Sequence, residues 1–393
     1  MDITDKCALS VEVISDLQGR PDLMKIWQAE AQHANSDPDF LSMVVSLRDN
    51  VLSPLVFLVR ENGVPVTALV CRLEKTQVQA RIAYFKLAQF SPRSITAVYG
   101  GLIGKDTPAI RRKFLDALSS ELQRGTADVA TYNMLRADSA FVQSIEALDI
   151  ANWRRKYSLP REHFVFQVPA KQEDILLAKP SKTRSKIRYY MRRAEKNLPD
   201  LQVNRLVSSV DIDQIMRDLE SVASKTYQRG LGAGFHYNEE WRALLKLGFE
   251  KNWMEVWTLS TGAKCISFII GLKYKGRYLI YAKAFDPGYS DDRIGTYLQI
   301  KVLEDIARQG ECVIVDYGFG EADYKRQFST DNWPEINVLI AAASVKNFMI
   351  MNVVRFCDTT DKILRMVSEK LALTRRIKKA LRSKKAKVAQ ERE

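Results

Sequence analysis

The sequence predicts an α/β chain of two similarly built domains, each a mixed twisted sheet flanked by helices, with a basic helical tail behind them. Three observations predict it. Residues 254–328 read as strand, turn, strand, turn, strand, glycine loop, helix, strand and a charged aromatic segment. The same order of element types occurs earlier in the chain, offset by roughly two hundred residues, as an ancient duplication would leave it. A length of 393 residues with a hydrophobic fraction of 46% suits two cores of ordinary size and excludes a disordered chain.

In the first half, Leu23, Ile26, Trp27 and Ala31 recur at helical spacing, so residues 22–33 are expected as a helix. An Asp37-Pro38 turn follows, then a short apolar segment at 40–47. Residues 55–60 and 64–73 bracket Asn62-Gly63, a strong hairpin signal because both residues tolerate positive φ. Residues 81–90 read as another strand, and 99–105, with its three glycines, as a loop. Phe114, Leu115, Leu118 and Leu122 give 109–123 an apolar helical face, Arg124-Gly125 stops it, and 129–134 is again a strand. In this duplication Gly63 answers Gly262, 81–90 answers 277–286, and Gln123-Arg-Gly125 answers Arg308-Gln-Gly310. Identity between the halves is low, so the inference rests on the order of elements.

Between the halves, 179–196 carries Lys182, Arg184, Lys186, Arg188, Arg192, Arg193 and Lys196 around an apolar face of Ile187, Tyr190, Met191 and Ala194. A helix is expected to begin after Pro180, with Ser181 as its cap. Its arginines either lie in solvent over apolar surface or present forks that match phosphate oxygens. In the second half, strands 255–259 and 266–273 flank a Thr261-Gly262 turn, and Lys275-Gly276 leads into a third strand at 277–285. The loop 286–295 ends at Gly295, directly ahead of a helix carrying Tyr297, Leu298, Ile300, Val302, Leu303 and Ile306 and closed by Gly310. Such a glycine lets an anion approach the first N–H groups of the helix, although any strand-to-helix turn can use one. Residues 312–317 form an apolar strand of the kind buried on both faces.

Three of these features resemble the bacterial acyltransferases with a BioF2-like or CelD-type acetyltransferase domain, relatives of the FemAB transferases built from GNAT folds. They are the basic helix Arg184-Ser-Lys-Ile-Arg-Tyr-Tyr-Met-Arg-Arg-Ala, the strand–loop–helix from Tyr281-Ala-Lys-Ala-Phe-Asp-Pro-Gly to Ile294-Gly295-Thr-Tyr-Leu, and Val315-Asp316-Tyr-Gly-Phe-Gly-Glu-Ala-Asp-Tyr324-Lys325-Arg-Gln-Phe328. The last is the most specific in order and spacing. The resemblance covers residues 27–344. It implies tandem GNAT-like domains, a degenerate or acceptor-side one at 1–175 and an acyltransferase domain at 176–361, with the tail at 362–393. It also implies acetyl-CoA or another acyl-CoA as co-substrate, lying between strands 277–285 and 312–317, and no metal.

The resemblance assigns roles residue by residue. Ala284 and Phe285 would face the thioester, and Arg293, Ile294, Gly295, Thr296 and Tyr297 would hold the pyrophosphate. Arg184, Arg188, Arg192, His236 and Tyr281 would contact the acceptor. Asp316 would orient the acceptor or act as base, unless it caps the next turn; Tyr324 and Lys325 match the family's Tyr-Lys pair, unless Tyr324 merely packs on Phe328. The acceptor expected is a sugar, amino sugar or other cell-envelope or exopolysaccharide precursor. The usual Gln/Arg-x-x-Gly-x-Gly/Ala loop is altered, with Asp292 at its first position and Tyr297 at its last. That leaves open an aminoacyl-tRNA donor, as used by FemAB relatives, or a fold without catalysis that binds anionic surfaces or nucleic acid.

Charge is concentrated at the end. Residues 362–393 hold 12 Lys/Arg against 3 Asp/Glu, which is nine of the thirteen net positive charges. This tail is either solvated or directed at an anionic membrane surface; few aromatics interleave it, which argues against base stacking on nucleic acid. No apolar run approaches bilayer length, the start lacks a signal-peptide core, and five scattered cysteines suit reduced thiols. A cytoplasmic protein, peripheral at most to the inner membrane face, is expected. His33, His163 and His236 show no metal or triad spacing, and no Gly-x-Ser-x-Gly elbow is present, which argues against a hydrolase.

Overall fold

The structure is a computed structural model that describes residues 8–370, apart from 84, 178, 209–210, 228 and 233. The chain opens with β1 (Leu9–Ile14), α1 (Pro21–Glu30), α2 (Pro38–Leu47), β2 (Val51–Glu61), β3 (Val64–Lys75), β4 (Val78–Ile82), β5 (Phe85–Phe90) and β6 (Arg93–Gly104). It continues with α3 (Pro108–Gln123), β7 (Val129–Arg136), α4 (Ala140–Glu146), β8 (Arg155–Tyr157) and β9 (Arg161–Gln167). Then come α5 (Ser181–Asn197), β10 (Leu201–Leu206), α6 (Ile212–Ala223), α7 (Glu239–Glu250), β11 (Met254–Thr261), β12 (Lys264–Tyr274) and β13 (Arg277–Phe285). The last elements are α8 (Ile294–Gln309), β14 (Ile314–Phe319), α9 (Asp323–Phe328), β15 (Asp331–Ala341) and α10 (Val345–Lys370).

Two compact units result, neither of them one continuous piece of the sequence expectation. The first takes residues up to Pro160 and the segment from Pro334; the second runs from Arg161 to Trp333. A division at 175/176 therefore gives way to one that places β9 in the second unit and most of β15 in the first. Strand order is β1-β2-β3-β6-β7-β15 in the first unit and β10-β11-β12-β13-β14-β9 in the second. Each sheet is antiparallel except for one parallel pair, β6 with β7 and β13 with β14, joined by a crossover helix. The repeat is real, and its closing strand in each unit is drawn from the other half's stretch of chain.

Local chemistry accounts for the elements. Asn62 and Gly63 both take positive φ, 51° and 82°, as the tight β2–β3 hairpin requires. The apolar segment after Asp37-Pro38 is the helix α2, whose first turn is capped by the Asp37 carboxylate accepting from Asp39 N–H. α5 begins as expected, but Pro180 holds the cap position and Ser181 is already helical, so the serine does not cap. The strand expected at 312–317 runs from Ile314 to Phe319.

One pairing between the halves was misplaced. Residues 81–90 are not the counterpart of β13; β4 and β5 form a separate two-stranded hairpin that packs on α10 through Ala80, Val354 and Cys357. The counterpart is β6, which runs through the glycines expected as a loop. Gly100 and Gly101 lie at a break in register between Leu69 and Cys71 of β3, where a bulge tolerates them, and Gly104 pairs with Thr67.

The core of the second unit gathers Ile187 and Ala194 from α5, Tyr278 and Ile280 from β13, Val315 and Tyr317 from β14, and Leu298, Val302 and Leu303 from α8. Beneath it, the buried Glu255 carboxylate meets Arg205 at 2.5 Å, Lys273 at 2.9 Å and Trp257 Nε1 at 3.2 Å. Trp257 Nε1 also donates to the Tyr278 hydroxyl at 3.0 Å. That hydroxyl passes directly over Gly271, where an added Cβ would lie 1.9 Å from it. The described cysteines, Cys71, Cys265, Cys312 and Cys357, are buried free thiols. Among the described residues, no helix is long and apolar enough to cross a membrane.

The Gly271 contact gives a direct test. Gly271→Ala is expected to lower unfolding stability by about 1–3 kcal/mol through overpacking, measured by urea titration. Stability equal to wild type would show that the Tyr278 ring moves aside freely.

Candidate active site

The site begins where a ladder stops. β13 and β14 pair in parallel only at Arg277 with Ile314, Tyr278 with Val315 and Leu279 with Asp316. Beyond that point β13 stays bonded to β12 as far as Phe285, and β14 stays bonded to β9 as far as Phe319. Each strand carries a register break at the parting: at Tyr281, between Ile280 and Ala282, and at Tyr317, between Asp316 and Gly318. An extra residue bends its strand and raises the local twist. Two such bends leave facing edges whose backbone groups can receive an extended chain.

The loop after β13 delivers an anion-binding helix start to the same end. Arg293 takes a left-handed φ of 53° at the cap, and its carbonyl accepts from Thr296 and Tyr297 N–H at 2.9 and 3.0 Å. The N–H groups of Ile294 and Gly295, first in α8, have no acceptor within the helix. Gly295 keeps the helix start close to β13, since a Cβ there would come within 3.1 Å of the Phe285 ring and push it aside slightly. Asp286 anchors the loop by accepting from Gly288 N–H at 3.0 Å and from Lys225 at 2.8 Å. Burial opposes its charge, but these donors hold the carboxyl below the usual carboxylate range.

The basic helix α5 lies against this loop. The Arg293 guanidinium sits 5.4 Å from the Tyr190 ring centre, Arg193 lies 3.6 Å from Asp292, and Asn197 donates to Asp292 at 2.7 Å. The Tyr297 hydroxyl donates to Glu195 at 3.2 Å, and burial with that carboxylate pushes its phenol up to about 12. Arg188 and Arg192 are exposed. Arg184 is engaged otherwise: it donates to the carbonyls of Leu177 at 3.4 Å and Lys179 at 2.9 Å, where it ties down the entry to its own helix.

Where β13 and β14 part, Tyr324 joins a cluster whose other members, Lys283, Gln299 and Tyr317, the sequence reading did not single out. Lys283 donates to Gln299 Oε1 at 2.9 Å, and its ammonium sits 3.7 Å from the centre of the Tyr324 ring. Gln299 in turn donates to the Tyr317 hydroxyl at 3.4 Å, and Tyr317 meets Tyr324 edge to face at 6.1 Å. Burial, and then the neighbouring charge of Lys325, bring Lys283 down to about 7. Burial also pushes the Tyr324 phenol up, so it keeps its proton at neutral pH. Lys325 donates to the carbonyls of Gly318 at 3.3 Å and Phe319 at 2.7 Å and is lowered by burial to about 8. It thereby ties α9 to the end of β14.

Asp316 is buried at this parting. One carboxylate oxygen accepts from Gly318 N–H at 2.7 Å and lies 2.9 Å from His163 Nε2, and His163 stacks on Trp333 with ring centres 4.7 Å apart. It fills the turn-capping role the sequence had left open. Ala284 is buried and Phe285 partly exposed at the end of β13. Tyr281 packs edge to face on Trp241 at 5.6 Å, and Trp241 meets Phe235 at 5.1 Å, the residue before the half-buried His236. The signal for Lys283 was available: it is the only charge among the apolar residues of Tyr281-Ala-Lys-Ala-Phe. Gln299 and Tyr317 gave none, because one more polar residue in an amphipathic helix and a tyrosine in a buried strand read as ordinary structure.

Comparison with known proteins bears on the fold that carries this site. Residues 181–326 match the family described as an acetyltransferase (GNAT) domain. Among solved structures, FemX aligns over 83% of this chain and 96% of its own, at 10% identity and a TM-score of 0.54. A tandem GNAT protein from the clavulanic acid biosynthesis pathway aligns over 86% and 99%, at 13% identity and a TM-score of 0.50. The C-terminal domain of a putative lysylphosphatidylglycerol synthetase from Agrobacterium fabrum aligns over 85% and 94%, at 12% identity and a TM-score of 0.50. No curated protein matches the sequence. At these identities the structural likenesses establish the tandem GNAT-like fold.

Lys283 predicts a pH effect on stability. Its folded value of about 7 lies below the ordinary lysine value, so the unfolded chain binds the extra proton between them. Stability therefore rises with pH across that window, by up to about 1.4 kcal/mol per pH unit for one proton. Lys283→Met is expected to be more stable than wild type at pH 7, with the gap closing by pH 10. A gap that stays constant with pH would mean that Lys283 keeps its charge in the folded protein.

Proposed function

We propose that this chain, a GNAT-superfamily acyltransferase, takes its acyl group from acyl-CoA and passes it to an amine or hydroxyl of a sugar, amino sugar or cell-envelope precursor. The observation that carries this reading is the parallel ladder of β13 and β14 ending after three residue pairs beside an uncapped helix start. Acyl-CoA, when bound, would supply an activated thioester on a long extended arm ending in a diphosphate. The residues present suit such a molecule. The open edge of β13 offers backbone groups to the arm, and the N–H groups of Ile294 and Gly295 offer donors to phosphate oxygens. Arg293, with the exposed Arg188 and Arg192 of the adjoining α5, adds positive charge beside that helix start.

In the transfer itself, a backbone N–H near Ala284 and Phe285 polarises the thioester carbonyl. Lys283, which is partly neutral near pH 7, removes the proton from the acceptor's nucleophile. The nucleophile bonds to the carbonyl carbon, the carbon–sulfur bond breaks, and Tyr324 gives the departing sulfur a proton. The proton on Lys283 returns to solvent and Tyr324 is recharged from it. Lys325 serves by holding α9, and Asp316 by shaping the turn that α9 follows.

The basic α5 beside the loop favours one second reading, an aminoacyl-tRNA donor, because its exposed arginines also suit a nucleic-acid backbone. CoA separates the two. CoA or acetyl-CoA is expected to raise the melting temperature, and Gly295→Trp, which forces the Phe285 ring away from the helix start, is expected to abolish that shift. With the acceptor in hand, kcat/KM should rise with pH through an inflection near 7, and Lys283→Met should lose about 10²–10⁴-fold. A thermal response to aminoacyl-tRNA without one to CoA would transfer the site to the second donor; a CoA shift untouched by Gly295→Trp would place CoA elsewhere.

A further inference from the structure

The helix α10 has two apolar faces, and only one of them is covered. Asn347, Met351, Val354 and Cys357 are buried against the first unit. On the opposite side Val345, Met349, Val353, Phe356 and Ile363 recur at spacings of three, four and seven, and all are exposed, Phe356 at 69% and Met349 at 58%. Asn352, Thr359 and Thr360 fill the intervening positions, so that outward face carries no charge from 345 to 360.

The charged residues of the same stretch are engaged with neighbouring segments of the first unit. Lys346 pairs with Asp128 at 3.2 Å, Asp358 pairs with Lys156 at 2.8 Å, and Asp361 accepts from Ala83 N–H at 2.8 Å. Arg355 donates to the carbonyls of Asn152 and Arg155. In a chain with 27% charged residues, a helix apolar on two opposite sides is built to be covered on both.

We propose that the outward face of α10 docks on an anionic lipid surface. The charge that follows it selects this occupant. Beyond Asp361 the sequence carries 12 Lys/Arg against 3 Asp/Glu, so the apolar face leads into a strongly net-positive segment. An apolar helical face continued by positive charge fits the boundary between acyl chains and anionic headgroups. A second copy of this chain would bring two such positive segments together and gain no complementary charge. The inference stands apart from the donor chemistry, since α10 belongs to the first unit and the acyl-transfer residues to the second.

Co-sedimentation of the full chain with phosphatidylcholine vesicles, with and without phosphatidylglycerol, tests it. Binding is expected only to the vesicles containing phosphatidylglycerol, weakening with added salt. The double variant Met349→Asp with Phe356→Asp changes two exposed positions, so its melting curve should match wild type while vesicle affinity falls at least tenfold. Three results would overturn the proposal. One is no binding to anionic vesicles. Another is undiminished binding by the double variant, which would assign the contact to the basic residues alone. The last is a dimer in vesicle-free solution that the double variant splits, which would give the face to a second copy.

Discussion

The second unit depends on a sheet that is allowed to come apart. Parallel strands in an open sheet ordinarily bond along their shared length, and each lost pair leaves an N–H and a carbonyl without a partner. Here β13 and β14 part after Leu279 and Asp316, and the cost is contained because each strand keeps its ladder on the other side. The bulges at Tyr281 and Tyr317 make the parting a property of the backbone. Everything else proposed for the unit follows from that gap: the helix start of α8 stands at its end, and Lys283, Tyr317 and Tyr324 gather where it opens.

Around Lys283 the gap offers no carboxylate hydrogen bond among the described contacts. Lys283 has a side-chain amide and an aromatic face for company, and Lys325 has two backbone carbonyls. Neither hydrogen-bonds to a carboxylate in these contacts. Desolvation then favours the neutral amine, which is what a proton acceptor near neutral pH requires. The contrast with Lys273 is instructive: it is also partly buried, yet Glu255 and Glu311 hold it raised above the ordinary lysine value. Burial alone does not make a base; burial without a counter-charge does.

Much of the fold was legible because its signals are local. Asn62-Gly63, the amphipathic spacing of 109–123 and the closing Gly310 each act within a few residues, and each element formed where expected. The strand through Gly100, Gly101 and Gly104 was read as a loop because glycine in a bulge and glycine in a turn look alike along the chain. The placement of β9 and β15 was not legible at all. Which strand closes which sheet is decided by pairing between residues far apart in sequence, such as Ile314 with Gln167 and Leu339 with Thr131. The candidate site divides in the same way: the helix start and the basic helix announced themselves by composition. Arg184 and Asp316 proved to be engaged with backbone groups, and the lone charge of Lys283 in an apolar strand acquired a meaning once Gln299 and Tyr324 stood beside it.

The central claim is that the broken ladder receives an extended donor anchored at the start of α8. Amide hydrogen exchange with and without CoA reads both ends of that statement together. The account predicts slower exchange in 280–285 of β13 and at 294–296 of α8 when CoA is present. Exchange unchanged in both segments, at CoA concentrations that raise the melting temperature, would contradict it.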